Sequence, residues 1–277
     1  METLLGLQEH QQLTDEQHTK IIRKEVQQAS KVIRAKYAFL KHQNSIGFLI
    51  FAISIAMILL SAVLYLKGTI GWIMVAISVA FWTSLLHELE HDLIHFMYFK
   101  KNKFMQDLMM LGVWLFRPMT INPWFRRDLH FHHHRVSGSK TDVEERGVTN
   151  GEKWGFKRLL TTADIFLGGV LRANIVRKDI IDAVKKGELP KEQALMFKKS
   201  KIYGMMPFTL ALYFIWYFFL IHYSIHYISV FFHLGYESSA FIQAQFKWIN
   251  PLVAILIFPN LLRMFCLHFI TSNMHYY

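Results

Sequence analysis

Residues 70–95 read IGWIMVAISVAFWTSLLHELEHDLIH, and this stretch carries the clearest structural signal in the chain. Its first part, residues 70–86, is apolar over nearly the length that an α-helix needs to cross a bilayer. Its second part places His87, His91 and His95 at intervals of four residues. Because residues four apart share one face of a helix, the stretch predicts a membrane helix that emerges with three histidines on one side.

The rest of the chain repeats the apolar pattern, which predicts an all-α integral membrane protein with four transmembrane helices and a cytoplasmic helical region that carries the histidines. The predicted spans are residues 45–66, 70–86, 205–224 and 251–270. Lys67, Gly68 and Thr69 join the first two spans in a tight helical hairpin. The apolar segment 104–116 is too short to cross and suits an interfacial or re-entrant helix, while Pro259 predicts a kink in the last span.

The composition supports a membrane protein and excludes several other classes. Of 277 residues, 53% are hydrophobic and 18% are charged, against about 25% charged in a soluble domain. The net charge of +11 suits anionic lipid headgroups, and because no nucleic-acid-binding motif is visible we expect no nucleic-acid partner. Cys266 is the only cysteine, which excludes an intramolecular disulfide and a metal site built only on thiolates of one chain.

Lysine and arginine set the expected orientation, because cytoplasmic loops are enriched in them. Seven precede the first span: Lys20, Arg23, Lys24, Lys31, Arg34, Lys36 and Lys41. Many more lie in residues 100–202, whereas the hairpin loop has only Lys67 and the loop at 235–250 has only Lys247. We therefore expect a multi-pass membrane protein with both termini and the histidine-rich segments in the cytoplasm. Arg263 lies within the last span, and it either reaches to the cytoplasmic interface or is a charge inside the membrane with a functional role.

The chain is predicted to have two parts. Residues 1–44 form an amphipathic cytoplasmic segment, in which Thr14 and Gln17 fit a capping box that starts a helix. Residues 45–277 form the membrane domain.

A second histidine-rich stretch follows in the middle segment, as His130-Phe-His132-His133-His134. On a helix, His130, His133 and His134 share one face, and His132 points away from it. A lone buried histidine is usually explained by packing, but four within five positions are not. Imidazole is a preferred ligand for transition metals, so the two stretches together predict a metal centre. His87 and His91 can bind one ion from one helix, and His95 is either another ligand or a partner of the ligands.

Depth in the membrane decides which histidines can meet. At about 1.5 Å per residue, a helix that starts near residue 70 and one that starts near residue 251 both reach the cytoplasmic face, about 26 Å on, at His87 and His268. His275 follows on the same side of the second of these helices. His222 and His226 have the same spacing of four, but their span runs outward, so we expect them at the opposite interface.

An H-x-x-x-H motif at 87–91 and an H-x-x-H-H motif at 130–134, on one side of a four-span membrane protein, resemble the integral-membrane fatty acid desaturase and hydroxylase superfamily. The stretch Asp142-Val-Glu-Glu-Arg146 is also similar to members of that group. The resemblance covers the chain from about residue 45 to its end. The resemblance implies that the protein is a fatty acid desaturase-like oxidoreductase.

The resemblance implies two non-haem iron ions that activate O2 to take hydrogen from an unactivated C–H bond of an acyl chain. By position, the iron ligands would be His87, His91, His130, His133, His134 and, after the last span, His275. The substrate would be a membrane lipid or an acyl thioester. Desaturation and hydroxylation both remain open.

The reaction also needs electrons from another protein. No fused redox domain is visible, which implies a separate donor of the ferredoxin, rubredoxin or cytochrome b5 type. The basic segment around Lys198, Lys199 and Lys201 is the expected docking surface.

One feature departs from the family pattern. The family has a third histidine motif after the last span, and the residues up to Tyr277 contain none. We therefore expect the membrane domain to be C-terminally incomplete and, as it stands, to bind metal incompletely and to be inactive.

Two alternatives belong to other classes of protein. His87-Glu88-x-x-His91 also matches the H-E-x-x-H signature of zinc metalloproteases, with Glu88 as general base. This alternative leaves the second histidine stretch unexplained. A non-enzymatic haem or metal-transport protein would need its histidines deeper in the membrane than these are predicted to lie.

The acidic residues of the first stretch also have two interpretations. Glu88 and Asp92 could accept the second ring N–H of a ligating histidine and so fix its tautomer. Alternatively, Glu88, Glu90 and Asp92 are solvated cytoplasmic carboxylates.

Overall fold

The computed structural model describes residues 14–147 and 153–271, and every regular element in those ranges is a helix. The helices are α1 (Asp15–Lys36), α2 (Gln43–Leu66), α3 (Trp72–Ile94), α4 (Lys103–Phe116), α5 (Pro123–Val136), α6 (Phe156–Ala163), α7 (Ile165–Lys185), α8 (Lys191–Gly204), α9 (Phe208–Phe231), α10 (Ala240–Leu252) and α11 (Phe258–Thr271). Short 3-10 turns lie at Ala38–Lys41 and Glu145–Gly147, and a wide π turn at Val253–Ile257 joins α10 to α11. The prediction of an all-α fold is confirmed.

Four helical segments are long and apolar enough to cross a membrane. They are Gln43–Leu66, Trp72–Ile94, Phe208–Phe231 and Ala240–Thr271. Many of their large apolar side chains point outward, for example Phe214, which is 74% exposed. Outward apolar side chains are expected where lipid tails replace water as the solvent. The four predicted membrane helices are confirmed.

Helix α3 continues past residue 86 through His91 to Ile94, as expected for a membrane helix that emerges with histidines on it. The bounds of the last span differ from the predicted ones. The last span starts at Ala240 rather than at residue 251 and contains Pro251. The irregularity predicted at Pro259 lies in the turn just before it, where the π geometry interrupts the regular hydrogen-bond ladder.

By internal contacts, the chain divides into a unit that ends at Leu49 and a unit that begins at Ile50. In the first unit, α1 starts with the predicted capping box. The backbone N–H of Gln17 donates to Thr14 Oγ1 at 3.4 Å, and that of Thr14 donates to Gln17 Oε1 at 2.9 Å. No residue of α1 is buried. The amphipathic cytoplasmic role of this segment remains a prediction.

The second unit contains the packing that positions the histidines. Helix α11 runs against α3, and α4 packs on α3 through a core that includes Val79 and Leu86 from α3 and Met109 from α4. Helix α5 packs on α8, with Leu129 and Phe197 buried between them. These contacts hold the end of α3 and the whole of α5 in fixed places.

A glycine determines how closely α6 and α7 approach at their bend of 117°. A Cβ at Gly168 would lie 2.8 Å from the backbone oxygen of Thr161, whereas a Cβ at Gly169 would meet nothing within 4 Å. We expect Gly168→Ala to destabilise the fold by about 1–3 kcal/mol, as overpacking does. Thermal unfolding in detergent measures this change.

The matched control for that substitution is Gly169→Ala. It is expected to leave stability unchanged or to raise it by up to about 1 kcal/mol, because alanine is the better helix former. Equal melting temperatures for the two variants would show that the helices can separate at this bend without cost.

Candidate metal centre

The ends of α3 and α5 bring four histidines together. His91 lies in the last turn of α3 and His95 is its C-cap, while His130 and His134 lie one turn apart on α5. One ring nitrogen from each lies within 4.8 Å of the other three. We call His91, His95, His130 and His134 the four-histidine cluster. It runs from buried at His130 to exposed at His134.

The spacing within the cluster suits a metal ion. The Nε2 atoms of His95, His130 and His134 form a triangle with sides of 3.0 to 3.1 Å. Two nitrogens bound to one transition metal at about 2.0–2.1 Å lie roughly 2.9–3.4 Å apart, depending on the coordination geometry. Burial and the neighbouring histidines lower the pKa of both His95 and His134, which favours the neutral rings that bind metals. The donors therefore fit a single transition-metal ion.

A carboxylate behind the cluster determines the tautomer of His130. Glu144 Oε2 lies 2.9 Å from His130 Nδ1, and Glu144 Oε1 accepts the Nε–H of Arg126 at 2.9 Å. Burial alone would raise the pKa of Glu144, but the charge of Arg126 and the hydrogen bond to His130 lower it to about 2. The ionised carboxylate can only accept, so His130 donates its Nδ1–H and keeps the lone pair of Nε2 for the centre of the cluster.

Behind Glu144 lies a second, fully buried carboxylate. Glu90 accepts a hydrogen bond from Arg117 and another from Arg126 Nη1, the latter at 2.8 Å. The side chains of Glu90 and Arg117 are both completely shielded from solvent. Glu90 is therefore not one of the solvated carboxylates that the sequence left open. It is the centre of an internal ion-pair network.

His87 lies apart from the cluster, in a different hydrogen-bonding state. Arg117 Nη1 is 2.9 Å from His87 Nδ1. Arginine can only donate, so Nδ1 accepts and the proton of the neutral ring resides on Nε2. In this arrangement neither nitrogen of His87 offers a lone pair to a metal. Sequence spacing could not reveal this, because 87–91 and 91–95 are equivalent pairs on a helix.

Two other predicted ligands, His133 and His275, and the neighbouring His132, which was predicted to point away, fall in three different places. His133 is outside the cluster and pairs through Nδ1 with Oδ2 of the buried Asp142 at 2.8 Å, a contact that raises the pKa of His133. His132 is buried, with Nε2 3.0 Å from the carbonyl oxygen of Thr141 and Nδ1 3.0 Å from Gln193 Nε2. His275 lies outside the described residues.

The carboxylates that face the histidines come from an unexpected part of the chain. Asp92 lies 3.7 Å from His91 Nδ1, too far for a hydrogen bond, and Glu88 is exposed. Asp142 and Glu144, and not Glu88 and Asp92, are the carboxylates that bind the Nδ1 atoms of the histidines. The only signal for them was the acidic stretch that follows the second histidine motif.

Of the two interpretations of Arg263, its burial favours a charge in the interior. Its side chain lies on α11 at 4% exposure, whereas a side chain that reaches the interface would be exposed. Its Nε has no hydrogen-bond partner in the part of the chain that the structure describes.

Comparisons with known proteins identify a family for most of the chain. The family model for fatty acid desaturases matches residues 69–277, which contain both histidine stretches and Glu144. Neither the curated proteins nor the solved structures contain a match to the chain.

Proposed function

The chain belongs to the fatty acid desaturase family, and on this premise we propose that it oxidises the acyl chain of a membrane lipid or acyl thioester with O2 at a histidine-bound di-iron centre. The four-histidine cluster at the end of a membrane helix is the observation that carries the proposal. A centre at this depth is adjacent to acyl chains and accessible to a redox partner from the aqueous side. The reaction is desaturation or hydroxylation of the chain.

His91, His95, His130 and His134 would hold one iron ion. Iron supplies the one-electron and O2 chemistry that an unactivated C–H bond requires, which no side chain can provide. For the second ion, the family pattern offers His133 and His275. His87 would join them only after its Nδ1 is released from Arg117, or its ring turned.

The proposed reaction balances with an external reductant. In desaturation, O2, two electrons and two protons accept the two hydrogens of a CH2–CH2 unit, and two water molecules leave as the double bond forms. In hydroxylation the same inputs place one oxygen on the chain and release one water molecule. The electrons come from a separate donor of the ferredoxin, rubredoxin or cytochrome b5 type. The exposed Lys198 and Lys199 on α8 are its proposed docking residues.

The zinc-protease alternative requires His87 and His91 on one ion with Glu88 as base. The hydrogen bond from Arg117 to His87 works against that ligand pair. The protease alternative also gives no role to His130 and His134, which lie close to His91 and His95.

The experiment that tests the proposed function uses the chain in lipid nanodiscs, loaded with ferrous iron without air. O2 and a reduced ferredoxin are then added, and the lipids are analysed by mass spectrometry. Loss of two hydrogens indicates desaturation, and gain of one oxygen indicates hydroxylation. No product would agree instead with the expectation, drawn from the missing third histidine motif, that the chain is inactive as it stands. Zinc in place of iron, with a peptidase activity that Glu88→Ala removes, would favour the protease. A strong Soret band would favour a haem protein.

The proposed orientation places both termini and the histidine stretches in the cytoplasm. In a background with Cys266 replaced by serine, we expect Lys101→Cys to react with a membrane-impermeant maleimide from the cytoplasmic side only. Lys67→Cys, in the hairpin loop, should react from the opposite side only. Both positions are exposed, so access depends on the side of the membrane alone. Labelling of the two cysteines from one side would refute the topology.

A further inference from the structure

A continuous row of ion pairs and hydrogen bonds links the four-histidine cluster to the interior. It runs from Arg117 through Glu90, Arg126 and Glu144 to His130, and each successive pair is in direct contact. The five side chains come from α3, α5, the segment after α4 and the segment after α5. None of the five is more than 19% exposed.

We propose that Glu144 is a positioning residue for the metal centre, and that Arg126 and Glu90 hold Glu144 in place. The proposal rests on the proposed function, since it takes the four-histidine cluster to be a metal site. Glu144 does not face the metal. It acts through His130 by fixing the direction of the ring and the nitrogen that carries the proton.

The contacts of Glu144 leave it little freedom. One oxygen binds His130 and the other binds Arg126 Nε, while Arg126 Nη1 binds Glu90. Arg126 therefore bridges two carboxylates through two different nitrogens of one rigid guanidinium plane. A ring held in this way presents the lone pair of Nε2 without having to lose rotational freedom when a metal binds.

The expected size of the effect follows from known metal sites. A ligating histidine usually donates its other N–H to a carboxylate or carbonyl, and removing that partner typically costs about 10- to 100-fold in metal affinity. Both neighbours of Glu144 are donors that need an acceptor. A glutamine has one acceptor oxygen, so it can satisfy only His130 or Arg126. If its NH2 group faces His130, Nδ1 must accept and Nε2 loses its lone pair.

The test measures Co2+ binding to the purified chain in nanodiscs, by the visible absorption of the bound ion. We expect Glu144→Gln to weaken binding about 10- to 100-fold and to shift the absorption bands. Glu144→Asp keeps both acceptor oxygens and should recover part of the affinity and the parent spectrum. The matched control is Asp128→Asn, which removes an exposed carboxylate from the same helix as His130 and should match the parent.

The outcomes distinguish failure of the positioning role from failure of the proposed metal site on which it rests. Co2+ affinity of Glu144→Gln equal to that of Asp128→Asn would overturn the positioning role while leaving the metal site intact. Failure of the parent chain to bind Co2+ would overturn the metal site itself. If Glu144→Gln does not fold, Glu144→Asp decides the matter by its Co2+ affinity. Affinity below that of Asp128→Asn supports the role, because the shorter side chain cannot hold His130 at the same distance, and affinity equal to that of Asp128→Asn opposes it.

Discussion

Substitution of His95 by alanine is expected to abolish metal binding at the four-histidine cluster, and His91→Ala and His130→Ala are expected to do the same. Each removes one of four nitrogens that approach within 4.8 Å of one another. The loss should exceed the roughly 10- to 100-fold that removal of an outer partner costs, because a bond to the metal itself disappears. Iron content and Co2+ titration of the purified variants measure the effect, and O2-dependent product formation should disappear with it.

The discriminating comparison is between His95 and His87. The family pattern assigns a ligand to His87, while the structure places His95 in the cluster and binds His87 Nδ1 to Arg117. We therefore expect His87→Ala to retain the ion of the cluster and His95→Ala to lose it. His222→Ala is a control outside the cluster, where the ring stacks on Phe246 with centroids 3.9 Å apart. Loss of the ion in His87→Ala and its retention in His95→Ala would show that the cluster is not the metal site.

The fold was predictable because the lipid environment leaves few choices. A run of about 20 apolar residues can satisfy its backbone in a bilayer only as a helix or a closed barrel strand. Hydropathy therefore located all four membrane helices. It did not locate every helix end, because the last span already starts at Ala240 rather than at residue 251. Those ends depend on capping and packing, which a count of apolar residues does not report.

The sequence predicted that histidines form the site, but not which histidine of the first stretch pairs with His91. Spacing placed His91, His130 and His134 on the faces that meet, but it could not choose between His87 and His95 as partner of His91. That choice depends on Arg117, which lies 30 residues from His87 in sequence and reaches it only through the packing of α4 on α3.

The carboxylate partner of His130 was also beyond prediction, because it lies far from His130 in the sequence. Glu144 lies 14 residues after His130, in a segment that returns to α5 after the helix has ended. A helical periodicity cannot predict such a contact. The sequence therefore suggested Glu88 and Asp92, which lie at the right spacing on the helix but not at the right distance.

Glu90→Ala is expected to be the most destabilising single substitution among the carboxylates near the site. Glu90 is fully buried and is shared by Arg117 and Arg126. Removing it leaves the buried Arg117 without a counter-charge, and Arg117 Nε already has no partner among the described residues. Breaking a buried ion pair in this way costs about 3–5 kcal/mol. Thermal or denaturant unfolding of the metal-free chain in detergent measures the change.

Two further variants separate the ion pair from simple loss of packing. Glu88→Ala lies two positions away on the same helix but is exposed, and it should change stability by less than about 0.5 kcal/mol. The double variant Glu90→Met with Arg117→Met removes both charges and keeps much of the volume, so it should be more stable than Glu90→Ala. A double variant no more stable than Glu90→Ala would indicate that lost packing, and not the uncompensated charge, causes the effect.

The same variants connect stability to the metal centre. Arg126 keeps its contact with Glu144 when Glu90 is removed, so the hydrogen bond to His130 survives in a less rigid form. Glu90→Ala should therefore lower the unfolding temperature more than Glu144→Gln does, and weaken Co2+ binding less. The opposite order would mean that Glu90 controls the position of His130 directly, through a path other than Arg126 and Glu144.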